Sequence, residues 1–304
     1  MYFLNDEEKR LLLRRLLPQS RERDIAPELR GWNWDKPPLS PIYDVKLGVY
    51  EIANNYCPTN RDLYLRRVLS IKTMPNRAMI EGGLLHSLLC KIIIATKRVI
   101  YEHGANCLDA LRVLNKEDFI NIEGKLLSRQ DLEEIRARAE QLWDYEHHSI
   151  LSRVQDVLAR QPYIGPDALV AMALPVTVDQ RLNGSFLGLS SHLSVDAFVF
   201  SEPMVVDIKF GKKQRFHHLT TTGYALVMES LYEYPINVGC IVYPSFREGR
   251  FAVERDFHLI DDELRQWFIE ERDERMGMTH EEIDPGIASE CQETCPFWRH
   301  CYPE

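Results

Sequence analysis

The chain has 304 residues, 45% of them hydrophobic, enough to bury a substantial core in one large domain or one and a half. Its net charge of −9 excludes a protein that coats nucleic acid through a uniformly basic surface. No run reaches the roughly eighteen uninterrupted apolar residues that span a bilayer, because Lys91, Lys97 and Arg98 cut the longest candidate around residues 92–94.

Residues 1–18 scatter acids and arginines among leucines, unlike a secretory leader with its basic start and clean apolar block, so the expected compartment is the cytoplasm, with no membrane. Seven cysteines in that setting read as thiols or metal ligands rather than disulfides. The charge is uneven. Residues 270–290 hold eight acids and two arginines, whereas residues 209–218 hold Lys209, Lys212, Lys213, Arg215 and two histidines with no acid, which leaves room for a local basic groove.

There is no internal repeat and no low-complexity run. Helical spacing predicts a helix over 7–17 ending at Pro18, an irregular connection over 20–41, and further helices over 44–54, 62–70, 80–102 and 131–160. From residue 169 the period changes to two, predicting strands over 169–178, 192–200 and 204–210. A helix over 216–234, strands over 238–243 and 251–253, and a last helix over 261–275 follow. The order implies an α/β (α+β) fold, a mixed sheet with helices packed on it. Three regions are expected: 1–165, helical; 166–275, the sheet-bearing core; and 276–304, a short, irregular, cysteine-rich tail.

In MVVDIKF, strand alternation puts Val205, Asp207 and Lys209 on one face. In the preceding LSVDAFVF, Asp196 lies about as far from a turn at Ser201, Glu202 and Pro203 as Asp207 does, so hairpin pairing brings the two carboxylates level. Like charges on neighbouring strands repel unless a cation sits between them, and Mg²⁺ or Mn²⁺ prefers such oxygens. The bland reading makes Asp196 and Asp207 edge acids with Lys209 as ion-pair partner. Against it, both acids sit in apolar strand segments, where an uncompensated carboxylate costs on the order of several kcal/mol. His86, in EGGLLHSLLC, is a candidate nitrogen ligand, although a lone histidine on an apolar helix is more often a packed core residue.

Cys291, Cys295 and Cys301 crowd into CQETCPFWRHC. Four thiolates make an iron–sulfur or structural zinc site, and Cys57, which precedes a proline between two helices, is the best fourth. Cys90, Cys107 and Cys240 lie in apolar contexts and read as core thiols.

His86, Asp196, the Asp207-Ile208-Lys209 triplet and Tyr224 in a following helix together resemble the RecB-like nuclease fold of the restriction-endonuclease-like superfamily. With Cys57 and the three tail cysteines, the chain is similar to the CRISPR-associated iron–sulfur exonucleases, the fourth Cas family. GLSSHLSVDAFVF, VVDIKFGK and FHHLTTTGYALVMES point to its archaeal subtype I-A branch.

The resemblance implies a metal-dependent 5′ to 3′ exonuclease on single-stranded DNA or DNA ends. Such an enzyme trims prespacers in CRISPR adaptation beside the integrase proteins. It further implies a 4Fe-4S cluster on Cys57, Cys291, Cys295 and Cys301, and Mg²⁺ or Mn²⁺ on His86, Asp196, Asp207 and the Ile208 carbonyl, with Lys209 orienting the attacking water. Tyr224 and Lys212 would position substrate.

Two departures stand out. The family triplet more often begins with glutamate, and Thr220 stands four residues before Tyr224, where the family usually has glutamine; Lys212 or His217 would substitute for it. The alternative functions are a DNA-end-binding assembly subunit of the spacer-acquisition complex with weak or no nuclease activity, and a zinc-stapled structural protein.

Overall fold

The structure, a computed structural model, describes residues 1–121, 127–199, 203–247 and 249–303. The chain begins with α1 (Asp6–Leu11), capped by Asn5, whose side chain accepts the Glu8 N–H while Glu8 reaches back to the Asn5 N–H. The helix does not end at Pro18 as the sequence predicts. It widens through a π-turn over Leu12–Leu16 and resumes as α2 (Leu17–Glu22), with Pro18 in the first turn, where a missing N–H is tolerated.

After an irregular stretch come α3 (Val49–Ala53), shorter than predicted, α4 (Arg61–Arg67), and α5 (Arg77–His103), which is capped by Asn76. Next are α6 (Cys107–Arg112) and the long α7 (Arg129–Arg160), capped by Ser128.

The predicted strand over 169–178 is corrected. Its first half is the end of α8 (Pro166–Ala173), because Pro166 starts a helix there and Leu169, Val170 and Ala173 recur at helical spacing on a buried face. An apolar run such as LVAMAL does not distinguish the two periods. The first strand, β1 (Thr177–Leu182), starts only after Pro175.

β2 (Leu193–Val199) and β3 (Met204–Ile208) follow close to prediction. Of the expected turn between them, Ser201 and Glu202 lie outside the described residues, as does Phe200. α9 (His218–Tyr232), β4 (Val238–Arg247), β5 (Arg250–Leu259), α10 (Asp262–His280) and a terminal turn, α11 (Trp298–Cys301), complete the chain. β4 and β5 are longer than the predicted segments, because they pair with each other over their whole length.

The five strands lie in the order β1-β2-β3-β4-β5, antiparallel except for β3 and β4, which run parallel across the α9 connection. This is the mixed sheet with packed helices that the element order predicts. One face, carrying Val206, Met204, Cys240 and Val242, packs against the α5, α7 and α8 side. The other, carrying Val205 and Phe198, packs against α3, α9 and α10. By length and composition alone α5 is apolar enough to cross a bilayer. Its Leu85, Leu89, Ile92, Ile93 and Ile100 are instead buried in the first core.

The second core is fastened by charge. Arg265 and Glu229 are fully buried and joined by two parallel contacts of 2.8 Å, and Glu229 also accepts the Gly31 and Ile236 N–H groups at 2.9 Å. Full hydrogen bonding is what makes a buried pair tolerable, and this one ties α10 and the N-terminal connection to α9.

Candidate metal site and thiol cluster

β2 and β3 pair Ala197 with Val206 and Phe198 with Val205, a register that carried one residue further sets Asp196 opposite Asp207. The β1–β2 register, pairing Val178 with Ala197 and Gln180 with Val195, likewise sets Asp179 opposite Asp196. Three carboxylates therefore stand in one row across three strands. Asp179 takes up a left-handed backbone at φ 50° there, which interrupts the regular alternation of β1.

The helix α5 brings His86 to this row, its Nε2 3.3 Å from Asp196 Oδ1 and 4.0 Å from Asp179 Oδ1. Asp196 Oδ2 accepts the Ile208 N–H at 3.0 Å, so the carboxylate is braced against β3 and the Ile208 backbone is part of the site. Lys209 Nζ lies 2.9 Å from Asp207 Oδ2. Asp196, Asp207, Lys209 and His86 are thus brought together, and Ile208 meets Asp196 through its N–H rather than through the carbonyl that the resemblance implies as a ligand.

Asp207 is 4% exposed, and Lys209 is the cation that meets its buried Oδ2. Burial pushes its pKa up to about 6; Lys209 and His86 oppose that shift, and the charge of Asp196 adds to it. Lys209 is moved the other way. Burial disfavours its charge, but Asp207 and Asp196 together more than compensate, and it is held above the ordinary lysine value. Three carboxylates against one ammonium is a donor set that suits a hard divalent cation.

Tyr224, on α9, faces the same acids: burial, then Asp196 and Asp207, raise its phenol well above the usual range. Lys212 lies exposed after β3 and makes no ion pair among the described residues, while its neighbour Lys213 is spent on Asp256 at 3.1 Å. Thr220, at the place of the family glutamine, is buried within α9.

His217 sits between two tyrosines, its Nε2 2.9 Å from Tyr56 Oη and its Nδ1 2.9 Å from Tyr243 Oη. Burial, then Lys209 and His218, lower its pKa to about 4, so the imidazole is neutral and one tyrosine donates to it while the other accepts.

Sequence reasoning missed Asp179, Tyr56 and Cys90. Asp179 had a signal, an acid in TVDQRL at the level of Asp196, hidden by the misplaced strand start. Cys90 is buried like a core thiol, yet its Sγ lies 3.6 Å from His86 Nε2. Cys107 and Cys240 are fully buried, as predicted for core thiols.

The other four thiols come from the loop after α3 and from the tail. Cys57 lies between α3 and α4, half-buried like Cys291, Cys295 and Cys301, and none is in a disulfide. Cys301 is raised by burial against the opposing effect of Arg61, and the thiols of Cys57 and Cys291 add to the rise. Burial pushes Cys295 up to about 11, with Cys291 contributing.

The tail is pinned beside Cys57 by polar contacts. Arg61 grips Asp284 through Nε and Nη2, each at 2.8 Å, Thr59 Oγ1 donates to Gly286 O at 2.9 Å, and Asn76 Nδ2 donates to Thr294 O at 3.0 Å.

A five-stranded mixed sheet that aligns three acids, an imidazole and a lysine, with a separate set of four thiols, defines a mixed α/β protein with two candidate metal centres. Residues 1–303 match the family described as CRISPR-associated exonuclease Csa1, and the chain belongs to that family. A protein of Saccharolobus solfataricus named CRISPR-associated exonuclease Csa1 is 33% identical over 92% of this chain and 94% of its own length. A protein of the same name from Thermoproteus tenax is 31% identical over 95% of this chain and 96% of its own.

Proposed function

We propose that the protein is a divalent-metal-dependent exonuclease that shortens single-stranded DNA from the 5′ end, trimming prespacers for CRISPR adaptation in company with the integrase proteins. The observation that carries this reading is the buried Asp207 carboxylate, level with Asp196 and paired at 2.9 Å with Lys209, with His86 at the same row. Membership of a family described as exonucleases supports it.

His86, Asp196, Asp207 and the Ile208 carbonyl would hold Mg²⁺ or Mn²⁺, which when bound lowers the pKa of water and neutralises charge on phosphate oxygens. The protein's own residues do the rest. Asp196 is fixed by the Ile208 N–H, so the carboxylate row does not have to reorganise when phosphate arrives. Lys209 stays protonated, and its ammonium is available to orient a water and to meet charge developing on the phosphorus oxygens. Tyr224, neutral beside the acids, can donate its hydroxyl to a substrate oxygen.

For the thiols the proposal is a 4Fe-4S cluster on Cys57, Cys291, Cys295 and Cys301. The supporting observations are that Cys291 acts on Cys295 and that Cys57 and Cys291 act on Cys301, so the four thiols are neighbours, and that four thiolates are the usual ligand complement of such a cluster. The cluster would link the loop at Cys57 to the tail.

The test is digestion of single-stranded DNA labelled at one end or the other, with Mn²⁺ and with chelator. The proposal predicts metal-dependent shortening in which the 5′ label is released first as mononucleotide or short product. Release of the 3′ label first would reverse the polarity, and binding with no metal-dependent shortening would replace the enzyme by an end-binding subunit.

A further inference from the structure

His86 is shared between two environments. Toward β2 it meets the carboxylate oxygen of Asp196; toward β1 it meets a different set of donors. Cys90 lies one helical turn further along α5, its Sγ 3.6 Å from His86 Nε2, and Asp179 Oδ1 approaches the same nitrogen at 4.0 Å. One nitrogen, one sulfur and one carboxylate oxygen thus lie within 4.8 Å of one another, the one such group among the described residues. Cys90 is 3% exposed, but its sulfur faces imidazole and carboxylate rather than hydrocarbon alone. Asp179, on the edge strand with its side chain 49% exposed, opens the group to solvent.

We propose that His86, Cys90 and Asp179 form a second cation position, selective for borderline-soft divalent ions such as Zn²⁺ and Co²⁺, and that filling it withdraws His86 from Asp196. Ligand chemistry sets the selectivity: thiolate and imidazole favour Zn²⁺ and Co²⁺, whereas Mg²⁺ and Mn²⁺ favour the side of the row where carboxylates supply most of the donors. On binding, the Cys90 S–H bond breaks, a sulfur–metal bond forms with the same electron pair, and the proton passes to solvent water. The Nε2 of His86 has one lone pair, so it serves one cation at a time. Zinc would therefore antagonise the hard-cation site without entering it. The binding claim stands on the geometry alone, while the antagonism rests on the nuclease reading given above.

The experiment uses the full-length protein with its iron content as purified. Co²⁺ is titrated into wild type, Cys90→Ser and Asp179→Asn, reading the thiolate-to-cobalt charge-transfer band as a difference spectrum. One equivalent of Co²⁺ is expected to produce the band in wild type and not in Cys90→Ser, Zn²⁺ to abolish it by competition, and Asp179→Asn to weaken Co²⁺ binding at least about tenfold. In the same samples, the rate of Mn²⁺-supported DNA shortening with one equivalent of Zn²⁺ is divided by the rate without it. That ratio is expected to fall about tenfold or more in wild type and to stay near one in Cys90→Ser.

An undiminished band in Cys90→Ser, or unchanged Co²⁺ affinity in Asp179→Asn, overturns the site. Should Cys90→Ser fail to fold, the edge-strand variant Asp179→Asn decides alone. A band that behaves as expected while zinc leaves wild-type cleavage untouched overturns the antagonism. Wild type that never cleaves with Mn²⁺ refutes the nuclease reading instead, and the cobalt result still decides the site.

Discussion

Asp179, Asp196 and Asp207 are set in a row by the pairing of three adjacent strands, whereas Cys57 meets the tail thiols only because residues such as Arg61 and Asp284, 223 apart in sequence, hold two distant segments together. The first region is set by backbone pairing, with Asp207 buried and Asp196 braced by the Ile208 N–H. The second is held by side-chain contacts at a half-exposed surface, and each of those contributes only about 1 kcal/mol or less. A metal would therefore play a different part in each region. At the sheet it would relieve a charge conflict the fold has already paid for; at the tail it would supply the closure that the contacts alone supply weakly.

Several substitutions sharpen this contrast. The largest effect is expected at the sheet: Lys209→Ala or Asp196→Ala should lower the rate of single-stranded DNA shortening by about a hundredfold or more while leaving the circular dichroism spectrum native. A rate within a few-fold of wild type would remove either residue from the chemistry. Next comes the tail, where Cys301→Ala, or removal of iron by a chelator, should erase the visible absorbance and lower the unfolding free energy by roughly 5 kcal/mol on the loop-closure view. Unchanged thermal stability on loss of iron would mean the polar contacts hold the tail unaided. A smaller effect, about 1 kcal/mol, is expected for Arg61→Ala, read as faster proteolytic cleavage in the segment after α10, with the cluster absorbance still present.

The last prediction concerns pH. Folding depresses the pKa of His217 to about 4 and of His258 to about 3, chiefly by burial, so between the ordinary histidine value near 6.5 and those pKa values the unfolded chain binds more protons than the folded one. Their contribution is present above about pH 6.5 and is lost progressively as pH falls, through about 4 for His217 and about 3 for His258. Chemical denaturation at stepped pH should show stability declining over that window, less steeply in His258→Asn.

Much of the sheet site was legible in the sequence because it depends on a local rule. Alternation in MVVDIKF and hairpin symmetry with LSVDAFVF are properties of short segments, and the structure puts Asp207, Lys209 and Asp196 where those rules place them. His86 needed the family resemblance as well, since nothing local separates it from a core histidine.

Asp179 was not legible, for a physical reason: LVAMALPV satisfies both a buried helix and a buried strand, and placing the strand eight residues early hid the acid's alignment with Asp196. The proximity of Tyr56 to His217, 161 residues away, depends on how α9 seats against the Cys57 loop, which no local pattern encodes. Lys212, chosen for its charge and position, is exposed, while Lys213 beside it is engaged by Asp256. The thiol set was visible as a cysteine count and spacing, but what brings it together, Arg61 and Thr59 reaching to Asp284 and Gly286, was not.

The central claim is that a cation held by the carboxylates of β2 and β3 performs the cleavage. Its most direct measurement is the single-turnover rate of single-stranded DNA shortening at saturating Mn²⁺, for wild type and Asp207→Ala carrying the same iron content. The account predicts a loss of about a hundredfold or more in Asp207→Ala. Equal rates in the two proteins would contradict it.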